Sequence, residues 1–186
     1  MNKAIFLDRD GTVIEEKEYL SEPKQVKILP HVIRGMNLLK NNGFKLILTT
    51  NQSGINRKYF TRAKMEKVHI KIKKLLLPHG IKFDAVYFCP HRPDEKCGCR
   101  KPETGMAEKA RARFGLNLKK SYSIGDKLTD IKLAHNFSGK GVLVLTGYGK
   151  NEIKNIKTLK IVPEHIAKNL YESAKWIIAD YTGNNN

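Results

Sequence analysis

Short apolar runs alternate along the chain with longer segments of helical periodicity, and this alternation constrains the fold most strongly. Strands that are joined by helices pair in parallel, so the pattern predicts an α/β fold, a three-layer α/β/α sandwich around a central parallel sheet. The length of 186 residues fits a single domain over 1–186. The predicted strands are 4–7, 45–48, 85–88, 122–124 and 142–145. The predicted helices are 32–41, 62–77, 104–114, 129–137 and 163–178, and the polar tail 182–186 is predicted to be frayed and flexible.

Polar groups that can perform chemistry directly follow four of the predicted strands. Asp8 and Asp10 follow the first strand, segment 49–53 the second, Cys89 the third and Asp126 the fourth. The carboxyl ends of parallel strands share one edge of the sheet, where open α/β sheets bind their ligands. We therefore expect these groups to meet in one site.

Asp8 and Asp10 form the first of these groups. Residues i and i+2 of an extended segment point the same way, so both carboxylates are expected to face one pocket. Two carboxylates so close repel each other unless a cation lies between them, which predicts a metal such as Mg²⁺. One carboxylate can attack phosphorus while the other transfers a proton. The alternative is an ordinary strand end with a turn at Gly11, and the later motifs argue against it.

Three further segments supply groups that suit a phosphoryl group. Segment 50–54 offers a hydroxyl and backbone N–H groups that can cradle phosphate, although such residues also form ordinary loops. Lys101 can offset phosphoryl charge and Arg100 can clamp oxygens, or the two form a common surface pair. Asp126 is placed to bind the predicted cation. Asp130 is placed to orient Lys101 or a metal-bound water, or it interacts with a helix dipole.

Three cysteines and one histidine lie close together in the sequence and predict a zinc site. Three thiolates and one imidazole make a closed tetrahedral set, which leaves no position for water, so we expect a structural metal. Zinc would order loop 89–101 and aim the two cations that end it. The other histidines, His69 among them, are predicted to be surface or packing residues. The predicted zinc ligands are Cys89, His91, Cys97 and Cys99.

The chain is strongly basic, with 35 Lys and Arg against 18 Asp and Glu and a formal net charge of +17. Such a charge attracts polyanions, among them a multiply phosphorylated small molecule. The densest basic cluster, 64–74, alternates with apolar residues and fits the solvated face of a helix, and nucleic-acid-binding motifs are lacking. Nucleic acid is therefore an unlikely partner. Because no apolar run approaches the ~20 residues of a membrane span and the start leaves no room for a signal peptide, we expect no membrane partner and a cytoplasmic location.

Taken together, these motifs resemble those of the haloacid dehalogenase (HAD) superfamily of phosphohydrolases, and the resemblance spans residues 5–130. It implies that Asp8 is the nucleophile, which forms an aspartyl-phosphate. It implies that Asp10 protonates the leaving oxygen and then activates water. Thr50 and Lys101 would hold the phosphoryl oxygens. Catalytic Mg²⁺ would be held by the Asp8 carboxylate, the Asp10 backbone carbonyl and Asp126.

The zinc loop narrows the resemblance to two families that lack a large cap domain, the heptose-1,7-bisphosphate 7-phosphatases and the histidinol-phosphate phosphatases. Segment 50–55, segment 101–106 and the length of loop 15–30 resemble the heptose family. The implied activity is Mg²⁺-dependent removal of the 7-phosphate from a small sugar bisphosphate, by a monomer, during the synthesis of nucleotide-activated heptose. Histidinol-phosphate phosphatase is the alternative.

Two further alternatives stay open. A polynucleotide 3′-phosphatase fits the first motif and the charge, but the zinc loop argues against it. The other is a non-catalytic scaffold that binds polyanions, but such a protein has no use for a nucleophile paired with an acid.

The heptose resemblance implies that Arg100 recognises the substrate. The residues expected to contact sugar or phosphate are Glu16, Lys17, Glu18, Tyr19, Asn51, Gln52, Ser53 and Lys127.

Overall fold

The computed structural model describes residues 2–183, which are built around one six-stranded sheet. All neighbouring strands pair in parallel, which confirms the predicted central parallel sheet. The strands are β1 (Lys3–Leu7), β2 (Phe44–Asn51), β3 (Ala85–Cys89), β4 (Tyr122–Gly125), β5 (Lys140–Val144) and β6 (His165–Ala167). Their order across the sheet is β3-β2-β1-β4-β5-β6.

Helices cover both faces of the sheet and complete the predicted three layers. Buried residues of α1, α2 and α7 pack on one face, and those of α3 and α4 pack on the other. The helices are α1 (Val32–Asn41), α2 (Arg62–Leu76), α3 (Gly105–Phe114), α4 (Leu128–Asn136), α5 (Gly149–Glu152), α6 (Ile156–Leu159) and α7 (Leu170–Gly183). Among residues 2–183 no helix is both long and apolar enough to cross a membrane. That part of the chain also contains no inserted cap domain.

The apolar run of β1 explains why the sheet lies in the middle. Ile5 and Leu7 pack into the cluster that includes α1, whereas Ala4 and Phe6 pack into the cluster that includes α3 and α4. Alternate residues of a strand face opposite sides, so a strand buried on both faces consists of apolar residues without alternation.

The C-terminal region corrects one of the predictions. The predicted helix 163–178 is wrong at its start, because β6 occupies this segment and α7 begins at Leu170. Asn169 starts the helix there, since its Oδ1 accepts hydrogen bonds from the backbone N–H groups of Tyr171 and Glu172. Residues 182–183 of the predicted frayed tail lie in the last turn of α7, and residues 184–186 lie outside the described residues, so the frayed tail stays a prediction.

The strand order reverses next to β1, and this reversal creates a crevice. The chain runs from β1 outward through β2 and β3, then returns to β4 on the other side of β1. Leu7 pairs with Leu48 of β2 and with Ile124 of β4, so the residues that follow these three strands start at one level. Ligands bind at such switch points.

Candidate active site

Lys101 is the centre of the site. Its ammonium Nζ lies 2.7 Å from Asp8 Oδ1 and 2.6 Å from Asp130 Oδ1, and it donates to the backbone oxygen of Thr49 at 2.9 Å. The side chain of Lys101 is only 3% exposed. One cation from the end of loop 89–101 therefore bridges the carboxylates that follow β1 and β4.

This environment keeps Lys101 charged. Burial alone would lower its pKa, but the carboxylates of Asp130 and Asp8 outweigh burial and raise the pKa above its ordinary value. A buried ammonium that is held by two carboxylates is a fixed positive charge at neutral pH.

Asp126 follows β4 and is fully buried. Its Oδ2 accepts a hydrogen bond from the backbone N–H of Tyr148 at 2.8 Å, whereas its Oδ1 has no hydrogen-bond partner among the described residues. Gly11 and Gly147, both with positive φ, lie against this carboxylate so closely that a side chain at either position would overlap it. Burial, followed by the negative charge of Asp8, raises the pKa of Asp126 to about 8.

Asp8, Asp126 and Asp130 form a set that suits a divalent cation, and we call it the carboxylate cluster. One oxygen of each lies within 4.8 Å of the others. Magnesium prefers oxygen ligands, and the buried Oδ1 of Asp126, which no hydrogen bond from the described residues occupies, is available as such a ligand. The predicted set contains Asp10 instead of Asp130, but Asp10 was assigned through its backbone carbonyl.

The carboxylate of Asp10 has protein partners of its own. Arg9 donates to it through Nε and Nη2 at 2.9 and 3.0 Å, and the side-chain amide of Gln52 donates to it at 3.1 Å. The same amide nitrogen lies 2.8 Å from the hydroxyl of Thr50. Arg9 was not predicted, since strand alternation places it opposite Asp8 and Asp10. The only sequence feature that could have indicated a role for Arg9 is its position between Asp8 and Asp10.

A cavity of about 320 Å³ opens beside these groups. It is lined by Gly54 of the predicted phosphate-binding segment 50–54 and by five residues that the sequence did not single out, namely Arg9, Leu20, Phe60, Thr129 and Tyr148. The structure brings thirteen of the predicted site residues to its wall. They are Asp8, Asp10, Glu16, Lys17, Glu18, Tyr19, Thr50, Asn51, Gln52, Ser53, Arg100, Lys101 and Lys127.

Asn51 has a specific structural task at this wall. Its Oδ1 accepts from the backbone N–H of Lys101 at 3.0 Å, and its Nδ2 donates to the Lys101 carbonyl at 3.1 Å. The end of β2 thus fastens the backbone of Lys101 from both sides. The predicted contact between Asn51 and substrate stays a prediction.

Lys127 and Glu16 form another part of the cavity wall. Lys127 Nζ lies 3.6 Å from Glu16 Oε2 and 4.5 Å from the centre of the Tyr148 ring. Burial raises the pKa of Glu16, and Asp10 and Asp8 raise it further against the opposing charge of Lys127. This wall therefore presents a cation on an aromatic face to the cavity.

The four predicted zinc ligands converge into one group, which we call the cysteine cluster. Its sulfur atoms lie 3.2 to 3.5 Å apart, and His91 Nδ1 lies 3.4 Å from Cys89 Sγ and from Cys99 Sγ. A tetrahedron with Zn–S bonds of about 2.3 Å has edges of about 3.8 Å, so the donor set fits zinc after a small expansion. Arg100 donates to the carbonyl of His91 at 3.1 Å and so links the cluster to the cavity.

A family model described as HAD-hydrolase-like matches residues 98–173. The D-glycero-β-D-manno-heptose-1,7-bisphosphate 7-phosphatase of Helicobacter pylori J99 is 36% identical over 95% of this chain and 97% of its own length. The chain belongs to the HAD superfamily. It falls in the group of heptose-bisphosphate and histidinol-phosphate phosphatases, as the motifs predicted.

Two further relatives define the range of this group. The histidine biosynthesis bifunctional protein HisB of Blochmanniella floridana is 40% identical over 76% of this chain, which corresponds to only 40% of that protein. The crystal structure of the D,D-heptose 1,7-bisphosphate phosphatase from B. bronchiseptica, complexed with magnesium and phosphate, superimposes with a TM-score of 0.86. It is 30% identical and covers 96% of this chain and 99% of its own.

Proposed function

We propose that the protein is a phosphatase that removes the 7-phosphate of D-glycero-D-manno-heptose 1,7-bisphosphate, on the route to nucleotide-activated heptose. The observation that carries this proposal is the joint position of Asp8, Lys101 and Asp10 on one cavity wall. A nucleophile, a fixed cation and a proton carrier are the groups that phosphoryl transfer through a covalent intermediate requires. Full-length relatives that carry this activity in their names support the choice of substrate.

The reaction proceeds in two displacements at phosphorus. A carboxylate oxygen of Asp8 forms a bond to phosphorus while the bond from phosphorus to the sugar oxygen breaks, and Asp10 gives its proton to that oxygen. In the second step Asp10 takes a proton from water, whose oxygen bonds to phosphorus as the bond to Asp8 breaks. Inorganic phosphate leaves, and Asp8 is free again.

Lys101 and Thr50 stabilise charge in both steps. Asp130 and the backbone oxygen of Thr49 hold two of the three N–H groups of Lys101, which leaves one N–H to donate to a phosphoryl oxygen. Magnesium would be held by Asp8, the Asp10 carbonyl and Asp126, and when bound it neutralises charge on the phosphoryl oxygens. The unpaired buried oxygen of Asp126 supports this assignment.

The cysteine cluster has a structural role in this proposal. Its four protein donors leave no coordination position for a reacting water. The cluster orders the segment that ends in Arg100 and Lys101, so zinc binding fixes the two cations at the cavity. Arg100 recognises the substrate from this position.

The remaining cavity residues contact the sugar and its phosphates in this proposal. Lys127 and Arg100 supply positive charge that suits a substrate with two phosphates. We also propose that the protein is a cytoplasmic monomer that acts on this small molecule without a nucleic-acid partner. The residues assigned to the sugar or its phosphates are Glu16, Lys17, Glu18, Tyr19, Asn51, Gln52, Ser53 and Lys127.

Histidinol-phosphate phosphatase is the second candidate, and the 40% identity to the bifunctional HisB protein favours it. Phosphate release with Mg²⁺ from heptose 1,7-bisphosphate, histidinol phosphate and a 3′-phosphorylated oligonucleotide separates the candidates by kcat/KM. We expect the highest kcat/KM for heptose 1,7-bisphosphate, as either its α or its β anomer at C1. A higher kcat/KM for histidinol phosphate would reverse the choice, and inactivity on all three and on an aryl phosphate would favour a non-catalytic scaffold.

A further inference from the structure

Arg9 lines the cavity but is almost fully buried, and the proposed reaction leaves it without a role. It is 1% exposed and is among the largest fully buried side chains of the described residues. Its Nε and Nη2 donate hydrogen bonds to the Asp10 carboxylate. Its third nitrogen, Nη1, lies 3.4 Å from Nε2 of His69 in the middle of α2. A buried guanidinium needs partners for its donors, and His69 is the partner on the side away from the cavity.

The chemistry of this contact fixes the state of His69. A guanidinium has donors only, so Nε2 of His69 accepts and Nδ1 carries the ring proton. Burial, together with the positive charges of Arg9 and Lys73, lowers the pKa of His69 to about 3. The imidazole is therefore neutral at neutral pH, and its Nε2 lone pair is available to Arg9.

We infer that His69 is a positioning residue, which accepts a hydrogen bond from Arg9 and thereby fixes the guanidinium fork that orients the Asp10 carboxylate. The inference rests on the proposed function, because that function gives Asp10 the two proton transfers. None of residues 62–76 lines the cavity, so His69 does not reach the reacting groups directly, and its contact with Arg9 connects it to Asp10. The role of His69 thus goes beyond the packing role that the sequence predicted.

The leaving group provides a readout that a packing role does not move. A sugar alkoxide departs only with a proton from Asp10, and general acid catalysis contributes about 10²- to 10⁴-fold. A nitrophenolate departs without much help. Since kcat/KM covers the steps up to departure of the leaving group, a misplaced Asp10 lowers kcat/KM for the sugar phosphate far more than for the aryl phosphate. A defect in folding lowers both equally.

The experiment measures kcat/KM with saturating Mg²⁺ for heptose 1,7-bisphosphate and for p-nitrophenyl phosphate. We expect His69→Leu, which keeps bulk but lacks an acceptor, to lose about tenfold or more on the sugar phosphate and less than about threefold on the aryl phosphate. His69→Gln, whose amide oxygen can reach the position of Nε2, is expected to restore the sugar reaction to within about threefold. Ile72→Val changes packing on the same face of α2 and should leave the ratio of the two rates unchanged.

Several results would overturn the inference. They are an equal loss on both substrates for His69→Leu, no loss at all, or a His69→Gln variant as selectively impaired as His69→Leu. If His69→Leu does not fold, His69→Asn replaces it, because its amide is too short to reach Arg9 and the same selective loss is expected. A wild-type protein inactive on both substrates would refute the proposed function and the inference together, whereas an active wild type without the selective loss refutes the inference alone.

Discussion

The carboxylate cluster and the cysteine cluster are both suited to metals, but the chain builds them in different ways. The carboxylates come from the ends of β1 and β4 and the first turn of α4, and each is nearly or fully buried. The cysteine cluster comes mainly from a loop whose only regular element is the short 3-10 turn Pro93–Glu95, and Cys97 and Cys99 are half-buried.

The two clusters therefore differ in what holds their ligand atoms in place. The sheet holds the carboxylates close together whether or not a cation is bound, and their mutual repulsion remains as a cost in its absence. Residues 90–100 of the loop are all exposed or half-buried, so a metal must supply the order of the loop. Lys101 joins both regions, because it ends the loop and its ammonium lies among the carboxylates.

Removal of the nucleophile tests the carboxylate cluster most severely. Asp8→Asn keeps the shape of the side chain but cannot form the covalent intermediate, so we expect kcat to fall by about 10⁴-fold or more. Thermal unfolding should stay cooperative and at a similar temperature. Asp94→Asn, at an exposed acid of the loop, should keep wild-type turnover. Turnover in Asp8→Asn near that of the control would contradict covalent catalysis at Asp8.

The repulsion in the carboxylate cluster should appear as a pH dependence of stability in Mg²⁺-free protein that retains zinc. Asp126 has a pKa raised to about 8 in the folded protein, against 3.8 ordinarily, so the folded state holds a proton that the unfolded chain releases. The free energy of unfolding should therefore fall as pH rises from about 4 to 8, by at most about 1.4 kcal/mol per pH unit for this group.

Urea denaturation across this range measures the effect. Asp130, whose pKa is raised to about 6 chiefly by burial, adds to the slope in the acidic half of the range. We expect Asp126→Asn to flatten the curve above pH 6 and Mg²⁺ to restore stability at pH 8 in the wild type only. Below about pH 6.5, His69 opposes this slope, because its pKa is lowered to about 3 in the folded protein. A wild-type curve that does not fall relative to that of Asp126→Asn between pH 6.5 and 8 would contradict a repulsive cluster.

Loss of zinc should affect the loop and leave the sheet intact. Cys97→Ser removes one thiolate, so we expect loss of zinc and a decrease in kcat of roughly 10- to 100-fold, because Arg100 and Lys101 are no longer held. Hydrogen exchange should increase within 90–100 and stay slow in β1 and β2. Unchanged turnover in a variant shown to lack zinc would contradict the claim that the cysteine cluster positions Arg100 and Lys101.

A smaller effect is expected at the rim of the cavity. Lys127→Ala removes a half-exposed cation, so KM for the bisphosphate should rise about five- to tenfold while kcat changes less than about twofold. Lys132→Ala, at an exposed lysine on α4, is the matched control and should change neither constant. A fall in kcat without a rise in KM would assign Lys127 to the chemical step instead of binding.

The sequence was sufficient for the first five strands of the sheet and for the meeting of the strand-end residues. Apolar runs such as 4–7 have one stable place, a strand buried on both faces, and parallel pairing then brings Asp8 and Asp126 to one edge. β6 was missed because it has only three residues, His165–Ala167. A segment this short has no hydrophobic periodicity that distinguishes a strand from the start of a helix.

Other parts of the site depend on side-chain contacts between distant segments, which periodicity does not reveal. The hydrogen bonds between the Asn51 side chain and the backbone of Lys101 span fifty residues, and the contact of Arg9 with His69 spans sixty. His69 has the spacing of a core residue in α2, and the sequence contains no sign that a buried cation faces it. The spacing of Cys89, His91, Cys97 and Cys99, in contrast, indicated a metal site directly.

The central claim is that Asp8 bonds to phosphorus, and a crystal structure of the protein with Mg²⁺ and beryllium fluoride tests it most directly. The account predicts beryllium bonded to a carboxylate oxygen of Asp8, with its fluorides near Lys101 and Thr50. Beryllium fluoride bound at another side chain, with the Asp8 carboxylate unmodified, would contradict the account.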